Sequence, residues 1–117
     1  MLDVTAILHG AISPLGYPCS EAPMRDTTAD AYIVWQPGKA RMVYASGEPV
    51  LERQTVDIAI VLPDGQRWQE LCRQVREAVL ATGQAAWCTL EGLQFLPDVG
   101  RRVVNVKCSL WEPVEAL

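Results

Sequence analysis

The chain has 117 residues, of which 50% are apolar, and its 14 acidic and 10 basic side chains give a net charge of −4. This length suits one domain, residues 1–117, with a single core. The negative balance disfavours nonspecific binding of nucleic acid. The N-terminal stretch MLDVTAILHG has no basic region and no long apolar run, and no apolar run elsewhere could span a bilayer. We therefore expect a soluble, intracellular protein with no membrane partner.

The first predicted element is a short amphipathic helix. Apolar side chains recur at helical spacing from Val4 to Ile12, and Asp3 is placed to cap the helix N-terminus. A Ser-Pro-Leu-Gly stretch, 13–16, stops it. Residues 17–30 contain two prolines and a cluster of polar turn formers, which predicts a short edge strand followed by a loop.

The next segments are rich in β-branched and aromatic residues. Because Pro-Gly-Lys-Ala at 37–40 separates 31–36 from 41–46, the pattern predicts a hairpin. A long alternating strand follows, with Val56, Ile58, Ile60 and Leu62 on one face and Arg53, Thr55 and Asp57 on the other. The polar side of this strand becomes apolar at Ala59 and Val61, so a neighbouring segment or subunit is expected to cover that end of the strand.

A Pro-Asp-Gly turn leads from this strand into an amphipathic helix predicted over 66–82. The turn lacks the G-x-G-x-x-G and Gly-Lys-Ser/Thr patterns that cradle phosphate. Asp64 stands where the side chain that caps the helix is expected, and there it would compete with an anion for the same amides. The turn is therefore predicted to be structural.

The second half of the chain ends in two predicted strands. Gly83 is expected to end the helix, 85–96 forms a strand that Gly92 bends or bulges, and a final strand alternates from Arg101 to Trp111. The order α-β-β-β-α-β-β has short turns between consecutive strands. It predicts an α+β fold, a mostly antiparallel sheet of about five strands with two helices on one face.

Residues able to do chemistry form no recognisable constellation. His9, the one histidine, lies beside the apolar stripe of the first helix, and the four cysteines are far apart in sequence. We therefore predict no catalytic residue, no cofactor and no metal, with the cysteines as buried thiols. A disulfide or a metal is the alternative for them.

Five residues are candidates for contacts with partners. Arg53 and Asp57 share a strand face and suit pairing across strands or between subunits. Arg101 and Arg102 form the one locally basic spot, predicted to be a solvated hairpin tip, with an acidic partner or DNA in a channel as the alternative. Trp111 lies in the polar-facing register of the last strand and suits an interface as well as burial.

With these elements the sequence resembles the tail-completion, or tail-terminator, proteins of long-tailed bacteriophages and prophages. The resemblance covers almost the whole chain: the leading helix, AYIVWQ after a Pro-containing loop, ERQTVDIAIVLP, WQELCRQVREAVLATG and RRVVNVKCSLWEP. It is a resemblance of layout and carries no motif, so it assigns no role to any residue.

The resemblance implies a protein that is not an enzyme. It implies a ring of identical copies, commonly a hexamer, that caps the tail tube and offers a joining surface to the head connector. The implied partners are other copies of the chain, the tube protein and the connector protein, with DNA only passing through the channel. The implied location is the host cytoplasm during assembly and then the virion tail.

The ring is expected to form through sheet edges and the loops around 17–30 and 97–102. One alternative is a small ligand-binding or thiol-dependent enzymatic α+β domain. Its pocket would lie between the sheet and the second helix, with Asp57, Arg53 or a cysteine as the polar group. Another head–tail connector component is the other alternative.

Overall fold

A five-stranded sheet with both helices on one face is formed by residues 2–23 and 30–114, which the computed structural model describes. The helices are α1 (Val4–Ile12) and α2 (Trp68–Leu80). The strands are β1 (Cys19–Glu21), β2 (Tyr32–Ala45), β3 (Glu48–Pro63), β4 (Ala85–Leu96) and β5 (Arg101–Pro113). Their order in the sheet is β1-β2-β3-β5-β4, with β1 parallel to β2 and every other pair antiparallel. The predicted α+β fold and element order are confirmed, and the sheet is mixed rather than wholly antiparallel.

β2 is one long strand, so the hairpin predicted between 31–36 and 41–46 is wrong. Both segments pair with β3, and the intervening residues form an irregularity between Pro37 and Ala40 where the register shifts. β1 pairs with β2 only as far as Trp35, so in the described part of the chain the irregularity lies on a free sheet edge. A proline is tolerated there because no further described strand needs its missing N–H group.

The hairpin turn lies instead between β2 and β3. Ser46 and Gly47 connect the strands with positive φ angles of 52° and 80°. Two such residues make the tight turn whose twist matches that of antiparallel strands. β2 and β3 extend together to this turn, with β5 beside β3 as far as Leu51. This end of the sheet, residues 40–54 and 110–113, is here called the arm, and the molecule measures 52 × 24 × 22 Å.

The core lies between the two helices and one face of the sheet, here called the covered face. Alternate strand residues point to it, as the sequence pattern predicts. The buried sheet residues are Ile33, Trp35, Val56, Ile58, Ile60, Leu62, Cys88, Val104, Val106, Cys108 and Leu110. The helices contribute Val4, Leu8, Ile12, Leu71, Cys72, Val75 and Val79. No helix within 2–23 or 30–114 combines the length and apolarity needed to cross a membrane.

The two helices begin differently. The Asp3 side chain accepts a hydrogen bond of 3.0 Å from the backbone N–H of Ala6, which confirms the predicted cap of α1. The predicted cap of α2 is wrong, because Arg67 occupies that position without a capping side chain. Asp64 lies too early in the turn to cap the helix, and its carboxylate accepts a hydrogen bond from Arg102 at 3.1 Å.

Candidate functional site

The face of the sheet that carries no helix, here called the open face, brings together four of the five predicted contact residues. Cross-strand neighbours in a sheet point to the same side. Arg53 of β3 lies directly opposite Trp111 of β5, and Asp57 lies opposite Lys107. Arg101 lies on the same side of β5 as Lys107 and Trp111. The alternation of β3 and β5 therefore produces one surface from residues that are far apart in sequence.

Arg53 and Asp57 share the open face as predicted but do not pair with each other. They are four residues apart along β3, a separation of about 13 Å. Arg53 instead donates a hydrogen bond of 3.4 Å to the hydroxyl of Ser109. Asp57 stands between Gln36 and Lys107 on the neighbouring strands.

The two predicted arginines at the start of β5 point to opposite faces. On the open face, Arg101 lies 6.0 Å from the ring centre of Tyr32 and donates to the carbonyl of Asp30. On the covered face, Arg102 pairs with Asp64 and lies 5.7 Å from the ring centre of Phe95. The locally basic spot of the sequence is therefore divided between two sites, each with its own partners.

On the open face, the apolar end of β3 is explained by contacts within one chain. Val61 is only 7% exposed although it belongs to the open face. Its cross-strand neighbours there are Tyr32 and Val103, and Arg101 lies over the Tyr32 ring. The loss of polarity toward the end of β3 thus needs no neighbouring subunit.

The tryptophans divide between the core and the open face. Trp35 is fully buried, and its indole N–H donates to the hydroxyl of Thr5 at 3.3 Å. Trp111 is half-buried on the open face, and Trp87 joins it there through its pairing with Ser109. The sequence reasoning did not single out Trp87, although its alternation with the buried Cys88 is a signal for that face.

A concave region on the open face, here called the cation pocket, lies where the arm meets the body. Its volume is about 500 Å³. Its charged and hydroxyl-bearing lining residues are Lys39, Arg41, Arg53, Thr55 and Ser109. Arg53 alone of these was a predicted contact residue. Lys39 and Arg41 were missed because the irregularity in β2 was taken for a hairpin turn, which hid the register that places Arg41 opposite Arg53.

The outer edge of the sheet on the β4 side has no strand beyond it in the described part of the chain. Four large apolar side chains along β4 are exposed, Leu90 (44%), Leu93 (42%), Phe95 (48%) and Leu96 (42%). Glu91 is the one charged residue of this strand, and β4 has no proline. Soluble proteins usually protect sheet edges with charges and prolines, so this edge is poorly protected against pairing with another strand.

Three cysteines lie in the core, as predicted, and Cys19 is half-buried. Cys88 and Cys108 are cross-strand neighbours, a proximity that their separation in sequence does not show. The hydrogen bond between these two thiols raises the pKa of Cys108, to which burial adds, and lowers the pKa of Cys88. Burial also raises the pKa of Cys72, which keeps that thiol protonated.

A second cavity lies near the N-terminus of α1 and is lined by residues that include Asp3, Glu21 and Gln54. Neither this cavity nor the cation pocket is lined by a cysteine. Among residues 2–23 and 30–114, histidine, cysteine and carboxylate side chains form no group of three placed to hold a metal ion.

Comparison with known proteins gives a likeness of fold. No protein-family model and no curated protein matches the chain. Several solved structures are similar, and one of them has a TM-score of 0.60 at 14% identity, over 96% of this chain and 94% of its own. The name of that protein describes no function. At this identity the likeness supports the α+β fold alone.

Proposed function

We propose that this chain is a structural virion assembly protein that forms a ring, caps a phage tail tube and offers a joining surface to the head connector. The observation that carries the proposal is the exposed, apolar and nearly uncharged edge of β4. A strand edge of this kind is a template for pairing with another chain. Within an assembly, that pairing would place Leu93 and Phe95 out of contact with water.

The sheet offers a second edge for the same contact. Beyond Trp35, the outer side of β2 is not paired with β1. This segment contains Pro37, Lys39 and Arg41, so it differs chemically from the β4 edge. A contact between two unlike edges is head-to-tail, and repeated head-to-tail contacts close into a ring when the rotation between copies allows it. Each interface should bury on the order of 1,000 Å² or more.

The elongated shape supports contacts at two levels of an assembly. The arm carries exposed Met42 and Tyr44 near its tip, and the turn after β4 carries exposed Val99 at the other end of the sheet. A ring built from such copies would present apolar side chains toward both a tube below it and a connector above it. The net charge of −4 suits a channel through which DNA slides without binding tightly.

The proposal is tested by sizing and by tube binding. The wild-type chain should form oligomers in light scattering, or assemble on isolated tail tubes in electron microscopy. Leu93→Lys should weaken both because it places a charge on the β4 edge. Leu80→Lys is the matched control, since Leu80 of α2 is 43% exposed and Leu93 is 42% exposed.

Two outcomes would contradict the proposal. One is a monomer at high concentration that also fails to bind tube ends. The other is equal assembly by the wild type and both variants, which would remove β4 from the contact. Binding to the connector without binding to tube ends would favour the alternative, another head–tail connector component.

A further inference from the structure

We propose that the cation pocket on the open face binds a phosphate group, a ligand that the ring proposal does not require. The inference starts from an electrostatic conflict. Arg41 and Arg53 lie directly opposite each other on neighbouring strands. Like charges in that position repel and destabilise a sheet. Lys39 adds a third cation to the same pocket.

None of the described residues that line the cation pocket is acidic. Within residues 2–23 and 30–114, the ion pairs are those of Arg73 and Arg102, so Lys39, Arg41 and Arg53 make none. The chain as a whole has more acidic than basic side chains. Three cations with no acidic partner among the described residues are therefore a local exception, and an anion would reduce their repulsion.

The pocket also has fixed hydrogen-bonding groups. Ser109 is fully buried, the one buried polar side chain in the described part of the chain. Its hydroxyl accepts a hydrogen bond from Arg53 and so holds that guanidinium group at the pocket wall. Thr55, which is half-buried, supplies a hydroxyl that a ligand can reach. One hydroxyl and two guanidinium groups match an anion with several acceptor oxygens, and arginine binds phosphate through paired N–H groups.

The wall of the pocket is held in position by the irregularity of β2. Gln54 donates a hydrogen bond of 2.7 Å to the carbonyl of Gly38. Gly38 packs so closely that a Cβ atom there would lie 2.8 Å from the Thr55 hydroxyl. The backbone that carries Lys39 and Arg41 is thus fixed against β3, so the cations need little rearrangement before an anion binds.

The pocket has room for a phosphate ester. A volume of about 500 Å³ exceeds what an inorganic phosphate occupies. Met42 and Val43 add apolar surface to the lining, and Trp111 lies opposite Arg53 on the next strand. These groups can contact the organic part of a nucleotide or of a polynucleotide backbone. The shared chemistry is a phosphate with an attached sugar or base.

The test measures binding at low ionic strength, where exposed charges are least screened. The probes are inorganic phosphate, a mononucleotide and a short single-stranded oligodeoxynucleotide. Binding of each probe is measured by NMR chemical-shift changes and by titration calorimetry. Arg53→Gln and Arg41→Gln should each weaken binding by about tenfold or more, because each removes charge-assisted hydrogen bonds. Arg67→Gln is the control, since it removes the same charge from an exposed residue at the start of α2.

Thermal unfolding gives an independent measurement. Without phosphate, Arg41→Gln should match or exceed the wild type in Tm, because it removes a repulsive pair and keeps the hydrogen bond from Arg53 to Ser109. Added phosphate should raise the Tm of the wild type and of Arg67→Gln, and should raise that of Arg41→Gln less. Loss of binding in a variant that keeps its Tm is therefore not a failure to fold.

Each outcome decides the proposal. Binding of all three probes through Arg41 and Arg53 supports a general phosphate site. Binding of the oligodeoxynucleotide alone, with the same dependence, supports the site and assigns its ligand to a polynucleotide backbone. No binding of any probe at low ionic strength, or binding that Arg67→Gln weakens as much as Arg53→Gln does, would overturn it. Failure here leaves the ring proposal intact, because that proposal is carried by the exposed β4 edge, whose residues do not line the pocket, and the β2 edge can pair without an anion.

Discussion

Replacing Gly38 by alanine tests how tightly the irregularity of β2 is held against β3. The added Cβ would lie 2.8 Å from the Thr55 hydroxyl and 3.0 Å from the Thr55 carbonyl oxygen. The hydroxyl could rotate away, but the carbonyl belongs to the backbone of a central strand. The alanine must therefore push β2 and β3 apart or strain the hydrogen bond from Gln54 to Gly38.

The expected cost is that of a moderately overpacked site, about 1–3 kcal/mol in the free energy of unfolding. For a domain of this size, each kcal/mol corresponds to roughly 4 °C in Tm. Gly10→Ala is the matched control, because Gly10 lies within α1 and a Cβ there would meet nothing within 4 Å. In a helix the same substitution should stabilise by up to about 1 kcal/mol. The two glycine replacements should therefore shift stability in opposite directions.

The assay is urea unfolding followed by tryptophan fluorescence, with all variants at one protomer concentration so that assembly contributes equally. Equal m-values are expected, since neither substitution alters the surface that unfolding exposes. The reasoning would be refuted if Gly38→Ala were as stable as the wild type. It would also be refuted if both variants lost stability to the same extent, because contact with Thr55 would then not be the cause.

Three further predictions concern buried polar groups. Thr5→Val should destabilise the fold by about 1–2 kcal/mol in urea unfolding, because the buried indole of Trp35 loses its acceptor, whereas Thr5→Ser should retain most of the stability. Glu112→Gln should stabilise the fold by about 0.2–1 kcal/mol in the same assay. The reasons are that Glu112 lies opposite Glu52 and that its buried carboxylate oxygen Oε2 has no hydrogen-bond partner among the described residues. A loss of stability would contradict this. In native protein, an aromatic disulfide reagent should modify Cys19 first, and rapid reaction of more than one thiol would count against the described core. The thiols expected to react only after denaturation are Cys72, Cys88 and Cys108.

Strictly alternating and helical patterns were sufficient to predict most of the fold. The apolar spacing from Val4 to Ile12 and the alternation that ends at Leu62 are both confirmed, as is the register shift in β4 before Gly92. Such patterns work because burial on one face imposes a fixed period on the sequence. The predicted hairpin turn at 37–40 was wrong, because proline and glycine there form an irregularity at an edge of the described sheet.

The cation pocket was harder to predict than the fold because it depends on register. Arg53 was recognised as a contact residue, but Arg41 faces it only because β2 continues past its irregularity to the turn at Ser46. A single change in that pairing would turn the Arg41 side chain to the covered face. Ser109 lies on the open face, where strand alternation alone predicts contact with solvent, whereas it is fully buried.

β3 gives the molecule a fixed length. It pairs with β2 from Glu48 to Val61 and with β5 from Leu51 to Pro63, so hydrogen bonds brace it on two sides over most of its course. A strand of 16 residues extends about 50 Å, which accounts for the long dimension of the protein. The distance between the arm tip and the turn after β4 is therefore set by a braced strand and not by flexible loops. Such a strand acts as a rigid spacer, so whatever binds at the two ends is held at a constant separation.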